Sequence, residues 1–579
     1  TFWLKFIFSS QPCPLDINPW REIAVADMSE PFSLIDWHRF HRSLRSRDDL
    51  SPNCGLLLAR RNSSCSLQAT SPEAKTPIKA EFWREDIVWK NERKVHDEYQ
   101  FEACIGKGSF GEVHKAIHIR TGVHRAIKQL PKLETLAEEF DWELKALVSL
   151  DHPHIVQVIE YFESSEKYFI VMELCSGSDL FTYIVDNTDS AANDGPRFIP
   201  ESHVSVILRQ CLKAVLCCHA HGFVHRDLNA RNFMITGRDM TVKLIDFGLA
   251  TRFLPDDEYE EIVGTSHYMA PEMMLSGQWT TAVDIWSLGV VLFILLTGTA
   301  LLPADDDKKK SLLKKPNFPQ LRVQRCKTLQ ARDTSDLARD LLQRMLMHEP
   351  SERITAAQAL SHPFVLRHCS ESLGPCLELE VDFDKDIVQK MRRFARAPRL
   401  LKVALLIMTH LASQEDHEQD LLWAQHAFRT VDTSGDGEIS LEELQQALAT
   451  HEVEMPPDLG EIFQVCDSSG SGRLSFIEFV ACILPSDFMD ERLCSEVFNV
   501  LDRNYNGKID AEDLRLAHSE YSLEMCTEII AEADLQRKGY LEFEDLRNFV
   551  RGAGNKRPAV AEDRETAADE PRHSKRRMA

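Results

Sequence analysis

The stretch HRDLNARN at residues 225–232 places a carboxylate, Asp227, five residues before an amide, Asn232. A second carboxylate, Asp246, follows nineteen residues after Asp227 and opens the triplet Asp-Phe-Gly. Asp227 can accept a proton, and oxygen atoms of amide and carboxylate groups are suitable ligands for Mg²⁺. A potential proton acceptor and two potential metal ligands therefore lie close together in the sequence.

Two further motifs lie upstream of this loop. Residues 106–113 read GKGSFGEV, and the three glycines let the backbone approach phosphate groups without a Cβ in the way. Lys128 follows in an Ala-Ile-Lys triplet on a strand-like segment. A dinucleotide-binding turn is the alternative reading of the glycines, but it expects a helix directly after the third glycine. The β-branched Val113 and a second strand stand there instead, so this alternative is disfavoured.

Together these motifs resemble those of the protein kinases, which have an α+β bilobal fold. The resemblance implies that Asp227 orients the substrate hydroxyl and that Asn232 and Asp246 hold Mg²⁺. Lys128 would bind nucleotide phosphates, with Glu143 on the next helix as its partner. The predicted nucleotide pocket consists of Ile105, Gly106, Lys107, Gly108, Ser109, Phe110, Gly111, Val113, Ala126, Lys128, Met172, Glu173, Cys175 and Asp179.

The catalytic loop departs from most serine/threonine kinases at one position. Those kinases carry a lysine two residues after the catalytic aspartate, where it neutralises charge on the transferring phosphoryl group, but here Asn229 stands there. Arg231 stands four residues after Asp227, the arrangement found in tyrosine kinases. One interpretation is that Arg231 replaces the missing positive charge and is catalytic. The other is a protein with crippled catalysis.

The segment before Ala270-Pro271-Glu272 indicates which hydroxyl accepts the phosphate. Residues 264–269 read GTSHYM and resemble the serine/threonine kinases, which place a threonine, here Thr265, beside the catalytic aspartate. The resemblance therefore implies serine and threonine acceptors. Arg353 is expected to form an ion pair with Glu272.

The activation segment is acidic. Between Arg252 and Gly264 the sequence contains no serine or threonine, and residues 256–261 read DDEYEE. Fixed carboxylates in this segment can face Arg226 in the place of a phosphate group. A solvated acidic loop is the alternative.

A repeat follows these motifs. Asp432, Asp467 and Asp502 open similar twelve-residue loops 35 residues apart, and Asp534 opens a weaker fourth loop. Calcium-binding EF-hand loops need oxygen ligands at defined positions and a glycine at the sixth. Apolar residues at helical spacing flank the first loop, so the sequence predicts helix–loop–helix units that bind calcium.

The four loops differ in the charge that they offer a cation. The first has the fullest set of ligands, and the second has Arg473 between its two carboxylates. The third closes with the shorter Asp513, which favours Mg²⁺, and Lys538 occupies a ligand position in the fourth, which is predicted to be structural. Two or three working sites are expected. The predicted ligands are Asp432, Ser434, Asp436, Glu438 through its carbonyl, and Glu443; Asp467, Ser469, Ser471, Arg473 and Glu478; and Asp502, Asn504, Asn506, Lys508 and Asp513.

Residues 366–420 join the two motif sets. They contain the basic segment KMRRFARAP at 390–398 and an apolar helical run at 400–407. A basic amphipathic helix beside EF-hands is typical of the helices that EF-hands bind. An ordinary packing helix is the alternative.

This order of kinase motifs, junction and EF-hand loops resembles the calcium-dependent protein kinases of plants and alveolate protists. The resemblance implies ATP, Mg²⁺ and Ca²⁺ as cofactors and proteins as substrates. It also implies autoinhibition, in which the junction blocks the substrate cleft until calcium exposes a groove on the EF-hands that binds the junction. A catalytically weak, kinase-like scaffold that senses calcium and a calcium buffer are the alternatives.

The predicted organisation has five parts. They are a largely disordered extension at 1–98, a protein kinase domain at 99–365, an autoinhibitory junction at 366–420, an all-α calmodulin-like domain with four EF-hands at 421–552, and a disordered charged tail at 553–579. The basic end of the tail is read either as a nuclear signal or as a solvated segment.

Composition limits the partners and the compartment. The net charge of −24 argues against nucleic acid or an anionic membrane as a partner. Fifteen cysteines without CxxC pairs favour a reduced, cytoplasmic protein without cysteine metal clusters, with nuclear and membrane-peripheral locations left open. No apolar run reaches the ~18 residues that a membrane span needs, and we expect a monomer. The chain begins with Thr rather than Met, so lipid anchoring cannot be judged from it.

Overall fold

The computed structural model describes residues 87–108, 111–133, 135–188, 198–237, 240–253, 261–324, 329–330, 334–367, 386–412, 418–484, 488, 490–518 and 521–555. Predictions for residues 1–86, for Ser109 and Phe110, for 254–260 of the activation segment, for the two ends of the junction, and for the tail beyond 555 fall outside this description.

The small lobe is built on a six-stranded sheet with the spatial order β1-β5-β6-β4-β3-β2. Gly111 begins β3 with a φ of 154°, and a Cβ there would lie 2.0 Å from the carbonyl oxygen of Gln129, so this turn requires glycine. The elements of the lobe are β1 (Lys90–Asn91), α1 (Val95–Glu98), β2 (Tyr99–Gly108), β3 (Gly111–His118), β4 (His124–Pro131), α2 (Ala137–Ser149), β5 (Val158–Glu163) and β6 (Lys167–Glu173).

The sheet extends beyond the predicted start of the kinase domain at residue 99. Lys90 and Asn91 of β1 pair in parallel with Tyr161 and Phe162 of β5. Ile87, in the same segment, is 1% exposed. The end of the predicted extension, residues 87–98, is therefore part of the small lobe and not a disordered segment.

The large lobe is mainly helical. Its central helix, Ala282–Thr297, is apolar on almost every side and ends at Gly298, which has a φ of 66°. The elements are β7 (Gly177–Asp179), α3 (Leu180–Thr188), α4 (Glu201–Ala220), β8 (Phe223–Val224), β9 (Phe233–Thr236), β10 (Thr241–Leu244), β11 (Thr251–Arg252), α5 (Pro271–Ser276), α6 (Ala282–Thr297), α7 (Asp306–Leu313), α8 (Phe318–Gln324), α9 (Asp336–Met345), a 3₁₀ turn (Pro350–Glu352), α10 (Ala356–Leu360) and α11 (Pro363–Leu366).

Among the described residues, two junction helices and eight helices of the EF-hand region follow. Short contacts join the loops in pairs, with Ile439 opposite Leu474 in β12–β13 and Ile509 bridged to Leu541. The elements are α12 (Ile387–Ala395), α13 (Arg399–Leu411), α14 (Glu418–Val431), β12 (Glu438–Ile439), α15 (Leu441–Thr450), α16 (Leu459–Cys466), β13 (Leu474–Ser475), α17 (Phe476–Ile483), α18 (Glu491–Leu501), α19 (Ala511–Ala517), α20 (Leu523–Ala533) and α21 (Phe543–Asn555).

An apolar cluster connects the small lobe, the junction and the EF-hands. It contains Ile127 of the small lobe, Met391 and Ile407 of the junction, and Phe428 and Phe479 of the EF-hand helices. Helices α12 and α13 pack against α16, α17, α18 and α20. The two domains therefore share a buried core through the junction. None of the helices in the described ranges is long and apolar enough to cross a membrane.

Candidate active site and calcium loops

Lys128, Glu143 and Asp246 meet between the two lobes. The Nζ atom of Lys128 on β4 lies 2.5 Å from Oε1 of Glu143 on α2 and 2.9 Å from Oδ1 of Asp246. Burial lowers the pKa of Lys128, but the carboxylates of Asp246 and Glu143 outweigh this and raise it. The ammonium group therefore keeps its charge at the place where the resemblance puts nucleotide phosphates.

Three donors hold the carboxylate of Asp227. Its Oδ1 accepts from the N–H of Thr265 at 2.7 Å, and its Oδ2 accepts from the side-chain amides of Asn229 and Asn232, both at 3.2 Å. Because the NH₂ group of Asn232 faces Asp227, its carbonyl oxygen is left for a cation. The oxygen atoms of Asn232 and Asp246 are donors of the kind that Mg²⁺ requires, so these residues fit the ion.

A buried acid that the sequence analysis did not single out supports the loop. Asp284, at the start of α6 and 1% exposed, accepts from the backbone N–H groups of His225 and Arg226, both at 3.0 Å. It also contacts Nε2 of His219 at 2.9 Å. The signal in the sequence was a lone acid at the start of an otherwise apolar helix. Such an acid is expected to be buried, and a buried acid needs hydrogen-bond donors around it.

The described residues of the predicted nucleotide pocket lie on the sheet of the small lobe and on the segment that follows β6. On the sheet, Val113 lies opposite Lys128, and Ala126 lies opposite Met172. The side chain of Glu173 pairs with Lys243 at 2.7 Å, so only the backbone of Glu173 is left for the nucleotide, as the prediction that the hinge backbone holds adenine requires. The half-buried Cys175 follows β6, and Gly106, Gly108 and Ile105 lie on β2, where Ile105 is 52% exposed.

Two charged residues of the predicted pocket have partners within the protein. Both carboxylate oxygens of Asp179, expected at the ribose edge, accept hydrogen bonds from Thr182, each at 2.9 Å. Asp179 thus caps α3, a role that the sequence analysis did not assign. Lys107 forms an exposed ion pair with Glu112 at 2.7 Å.

The closing carboxylates of the first three EF-hand loops are held in the same way. Each belongs to a capping box at the start of the following helix, formed by Ser440 with Glu443, Ser475 with Glu478, and Asp510 with Asp513. Each also accepts from the N–H of the third loop residue, at 2.9 Å from Ser434, 2.8 Å from Ser469 and 3.2 Å from Asn504. The N-cap signals in the sequence therefore also direct the ligands into the loops.

The charge inside the loops favours a cation. Burial, with the nearby Asp467, raises the pKa of Glu478 to about 8. Burial also raises the pKa of Asp513 to about 6, with Asp510 and Asp502 adding to the effect. Clustered oxygen donors of this kind fit Ca²⁺.

In the fourth loop, the ammonium group of a lysine lies among the carboxylates. The Nζ atom of Lys538 lies 2.6 Å from the closing carboxylate of Asp545 and 3.1 Å from Glu542. This ammonium group stands where a metal ligand would be needed, which supports the prediction of a structural loop.

Comparisons with known proteins match both the kinase domain and the EF-hand region. The protein kinase domain family matches residues 99–365, and EF-hand domain pair families match residues 422–484 and 505–552. Similar proteins include calcium-dependent protein kinase 5 of Plasmodium falciparum, with 30% identity over 65% of this chain and 63% of that protein. Calcium-dependent protein kinase 7 of Oryza sativa subsp. japonica has 26% identity over 81% and 84%, and calcium-dependent protein kinase 5 of Arabidopsis thaliana has 26% over 70% and 71%. The chain therefore combines a protein kinase domain with two EF-hand pairs and is similar to proteins named calcium-dependent protein kinases.

These matches confirm the predicted fold class, a bilobal kinase domain followed by an all-α EF-hand region. They also confirm ATP, Mg²⁺ and Ca²⁺ as cofactors and the class of serine/threonine protein kinases. The alignment spans less than two thirds of the Plasmodium protein and more than two thirds of the two plant proteins named above.

Asn229 and Arg231 take different positions in the catalytic loop. Asn229 is 6% exposed, and its amide reaches both Asp227 and, at 3.5 Å, the hydroxyl of Thr265. Arg231 is exposed, and its guanidinium lies 4.3 Å from the ring centre of Phe181. The structure therefore brings Asn229 to the catalytic carboxylate and stacks Arg231 on an aromatic ring at the edge of the loop.

One carboxylate of the acidic activation segment reaches the catalytic loop. Oε2 of Glu261 lies 2.5 Å from Nη1 of Arg226. The Nε–H of the same guanidinium donates to the carbonyl of Leu249 at 2.8 Å. Glu261 therefore faces Arg226, as the interpretation of a fixed carboxylate in the place of a phosphate group expected. The side chain of Glu261 is 57% exposed, so the ion pair orients Arg226 but adds little to the free energy of folding.

Arg353 and Glu272 form the expected ion pair. Two guanidinium nitrogens of Arg353 contact the two oxygens of Glu272, at 2.6 and 3.0 Å. The same guanidinium donates to the carbonyl groups of Met347 and Ala282. This bidentate pair fixes the end of the activation segment to the large lobe.

Proposed function

We propose that this chain is a calcium-activated protein kinase that transfers the γ-phosphate of ATP to serine and threonine hydroxyl groups of proteins. The observation that carries the proposal is the contact of Lys128 with both Glu143 and Asp246, beside an Asp227 carboxylate held by three donors. These contacts place a charge for the phosphates and a proton acceptor for the hydroxyl in one cleft.

In the proposed reaction, Asp227 orients the acceptor hydroxyl and takes its proton, because its carboxylate is already fixed and cannot turn away. Lys128 binds phosphate oxygens, and Glu143 keeps it in position. Asn232 and Asp246 would hold Mg²⁺. When bound, the ion supplies positive charge to the phosphate groups.

We propose further that Arg231 supplies the positive charge that the usual lysine would provide, while Asn229 keeps Asp227 and Thr265 in register. A guanidinium over Phe181 keeps its donors free to approach a phosphoryl group in the cleft. Arg231→Ala is expected to lower the turnover number about 100-fold, the low end of the loss for one transition-state donor. The KM for ATP should change little.

Steady-state kinetics with a peptide substrate test this assignment. Arg344→Ala is the matched control, because Arg344 is 58% exposed on α9, away from the cleft. A turnover number for Arg231→Ala equal to that of the unmodified chain overturns the role of Arg231.

The regulatory part of the proposal concerns the junction. At low calcium the junction would block the substrate cleft, and calcium would shift a two-state equilibrium toward the form in which the EF-hands hold the junction. Support comes from the basic residues of the junction helices: Arg392 contacts Asp458 at 2.7 Å, and Arg399 contacts Glu532 at 2.8 Å. The EF-hand surface thus has acidic partners for this segment.

Calcium titration of phosphate transfer tests the proposed function. Full-length protein is expected to transfer radiolabelled phosphate slowly in chelator and faster as free calcium rises, with Asp227→Ala as the catalytic blank. Equal rates in chelator and in calcium would leave a constitutive enzyme. The second candidate is the kinase-like calcium-sensing scaffold, favoured only by Asn229, and transfer no faster than the Asp227→Ala blank at saturating calcium would support it.

A further inference from the structure

Three side chains of different chemistry meet on the hairpin that carries the glycine loop. They are the thiol of Cys104 on β2 and the carboxylate of Glu112 and the imidazole of His114 on β3. One ligand atom of each, the sulfur, a carboxylate oxygen and a ring nitrogen, lies within 4.8 Å of the other two. None of the three is among the residues assigned to nucleotide, Mg²⁺ or Ca²⁺.

The pairing of the two strands explains why these side chains meet. Cys104 lies directly opposite His114 in the antiparallel register. Glu112 precedes His114 by two positions, and alternate residues of a strand point to the same face of a sheet. Val113, between them, points to the other face, where the nucleotide pocket is predicted. The three side chains therefore share the face of the hairpin that is turned away from that pocket.

Neighbouring groups orient Glu112 and His114. The Nζ atom of Lys107 lies 2.7 Å from Oε1 of Glu112, which leaves Oε2 of the same carboxylate for another partner. That oxygen lies 3.3 Å from Nε2 of His114. The ring of His114 packs edge-on against Phe101, with 5.8 Å between the ring centres. Side chains that bind a metal are commonly oriented by outer contacts of this kind.

The distances and the donor types fit Zn²⁺. Zinc binds thiolate sulfur at ~2.3 Å, imidazole nitrogen at ~2.0–2.1 Å and carboxylate oxygen at ~2.0–2.2 Å, in tetrahedral geometry. Two ligand atoms at the corners of such a tetrahedron, each about 2.0 Å from the ion, are about 3.3 Å apart. Nε2 of His114 and Oε2 of Glu112 have this separation. Cys104 is exposed, so its side chain has room to rotate and bring the sulfur to a third corner.

The donor set also separates this cluster from the sites for Mg²⁺ and Ca²⁺. Those two ions prefer oxygen ligands, of which the cluster supplies one carboxylate. Thiolate and imidazole ligands favour zinc and the neighbouring transition metals. The alternative is an exposed cluster that is held only by its hydrogen bonds and has no affinity for a metal.

We propose that Cys104, Glu112 and His114 form a binding site for Zn²⁺ on the hairpin of the glycine loop. Binding releases the thiol proton of Cys104 to solvent, because the thiolate is the ligand, and leaves the ring proton of His114 on Nδ1. The fourth position of the tetrahedron is open to water. The ion joins β2 to β3 next to the pair formed by Gly106 and Val113, at the base of the glycine loop.

Absorption spectroscopy with Co²⁺ tests the ligand set. Co²⁺ takes the same ligands as zinc and absorbs strongly when it is bound to thiolate. The full-length, reduced chain is titrated at saturating Ca²⁺ and Mg²⁺, which fill the oxygen sites. We expect a thiolate-to-cobalt band that saturates at one equivalent and disappears when Zn²⁺ is added. Cys104→Ala should lack this band. A band of equal intensity in Cys104→Ala, or no band in the unmodified chain, overturns the proposal.

Zinc calorimetry under the same conditions tests the carboxylate. Glu112→Gln keeps the thiol and the imidazole but should weaken zinc binding by more than about 100-fold, because loss of an outer partner alone costs about 10- to 100-fold. Glu102→Gln is the matched control. Glu102 is on the same hairpin and pairs at 3.5 Å with Lys115, which points to the opposite face from His114. Glu102→Gln should bind zinc like the unmodified chain. Equal affinities of Glu112→Gln and the control overturn the three-ligand site.

Amide hydrogen exchange in the unmodified chain gives a test that needs no variant. Zn²⁺ should slow exchange in β2 and β3, because the ion holds the two strands together. The hairpin of β9 and β10 in the large lobe is the internal control and should not change. Exchange in β2 and β3 that is the same with and without saturating Zn²⁺ overturns the proposal. None of these measurements depends on phosphate transfer or on its response to calcium.

Discussion

Asp227→Asn is expected to lower the turnover number for phosphate transfer by about 10²- to 10⁴-fold, the usual contribution of a positioned proton acceptor. Asparagine has nearly the shape of aspartate and can still accept a hydrogen bond from Thr265. It carries no charge, however, and its NH₂ group would meet the amides of Asn229 and Asn232, which both donate to Asp227 now. Both the proton acceptor and its alignment are lost.

The affinity for ATP should stay close to that of the unmodified chain, because Lys128, Glu143 and Asp246 keep their contacts. Nucleotide binding by calorimetry and turnover by radiolabel transfer separate the two effects. Asp186→Asn is the matched control, an exposed carboxylate on α3 in the same lobe. A turnover number within threefold of the control, with a threefold ratio taken as about 0.65 kcal/mol, would falsify the assignment of Asp227.

Arg353→Met should destabilise the kinase domain by about 3–5 kcal/mol, the cost of removing one partner of a buried ion pair. The side chain of Arg353 is 0% exposed and that of Glu272 is 14% exposed. Methionine fills a similar volume but leaves Glu272 without its positive partner and the carbonyl groups of Met347 and Ala282 without their donors.

Urea denaturation followed by tryptophan fluorescence measures this effect. The buried Trp286 lies 5.2 Å from the guanidinium of Arg353 and reports on this part of the large lobe. Arg344→Met is the control, since Arg344 and Asp340 form an exposed pair, and such pairs contribute about 0–1 kcal/mol. Equal losses of stability in the two variants would contradict the structural role of Arg353.

The sequence by itself determined the chemistry of each site. The resemblance of its motifs to those of protein kinases implied the contacts of Lys128 with Glu143 and of Arg353 with Glu272, and the structure contains both. The fourth loop was also interpretable, since Lys538 and the Asp545 that it contacts lie only seven residues apart in one local turn. The capping boxes at Ser440 and Ser475 are local patterns of the same kind, since each joins residues three apart.

Only the tertiary structure decided which charges from distant parts of the chain meet. Asp284 is 59 residues from His225, and Lys213 is 219 residues from Asp432, so no local pattern links either pair. The same distance in sequence explains why the pairing of Lys90 and Asn91 with β5 and the contact of Glu173 with Lys243, 70 residues away, were not foreseen. Ion pairs and hydrogen bonds depend on distances of a few ångströms, and packing of the two domains sets those distances. The metal ligands of an EF-hand loop all lie within its twelve residues. Lys213, which contacts the first carboxylate of the first loop, comes from the kinase domain.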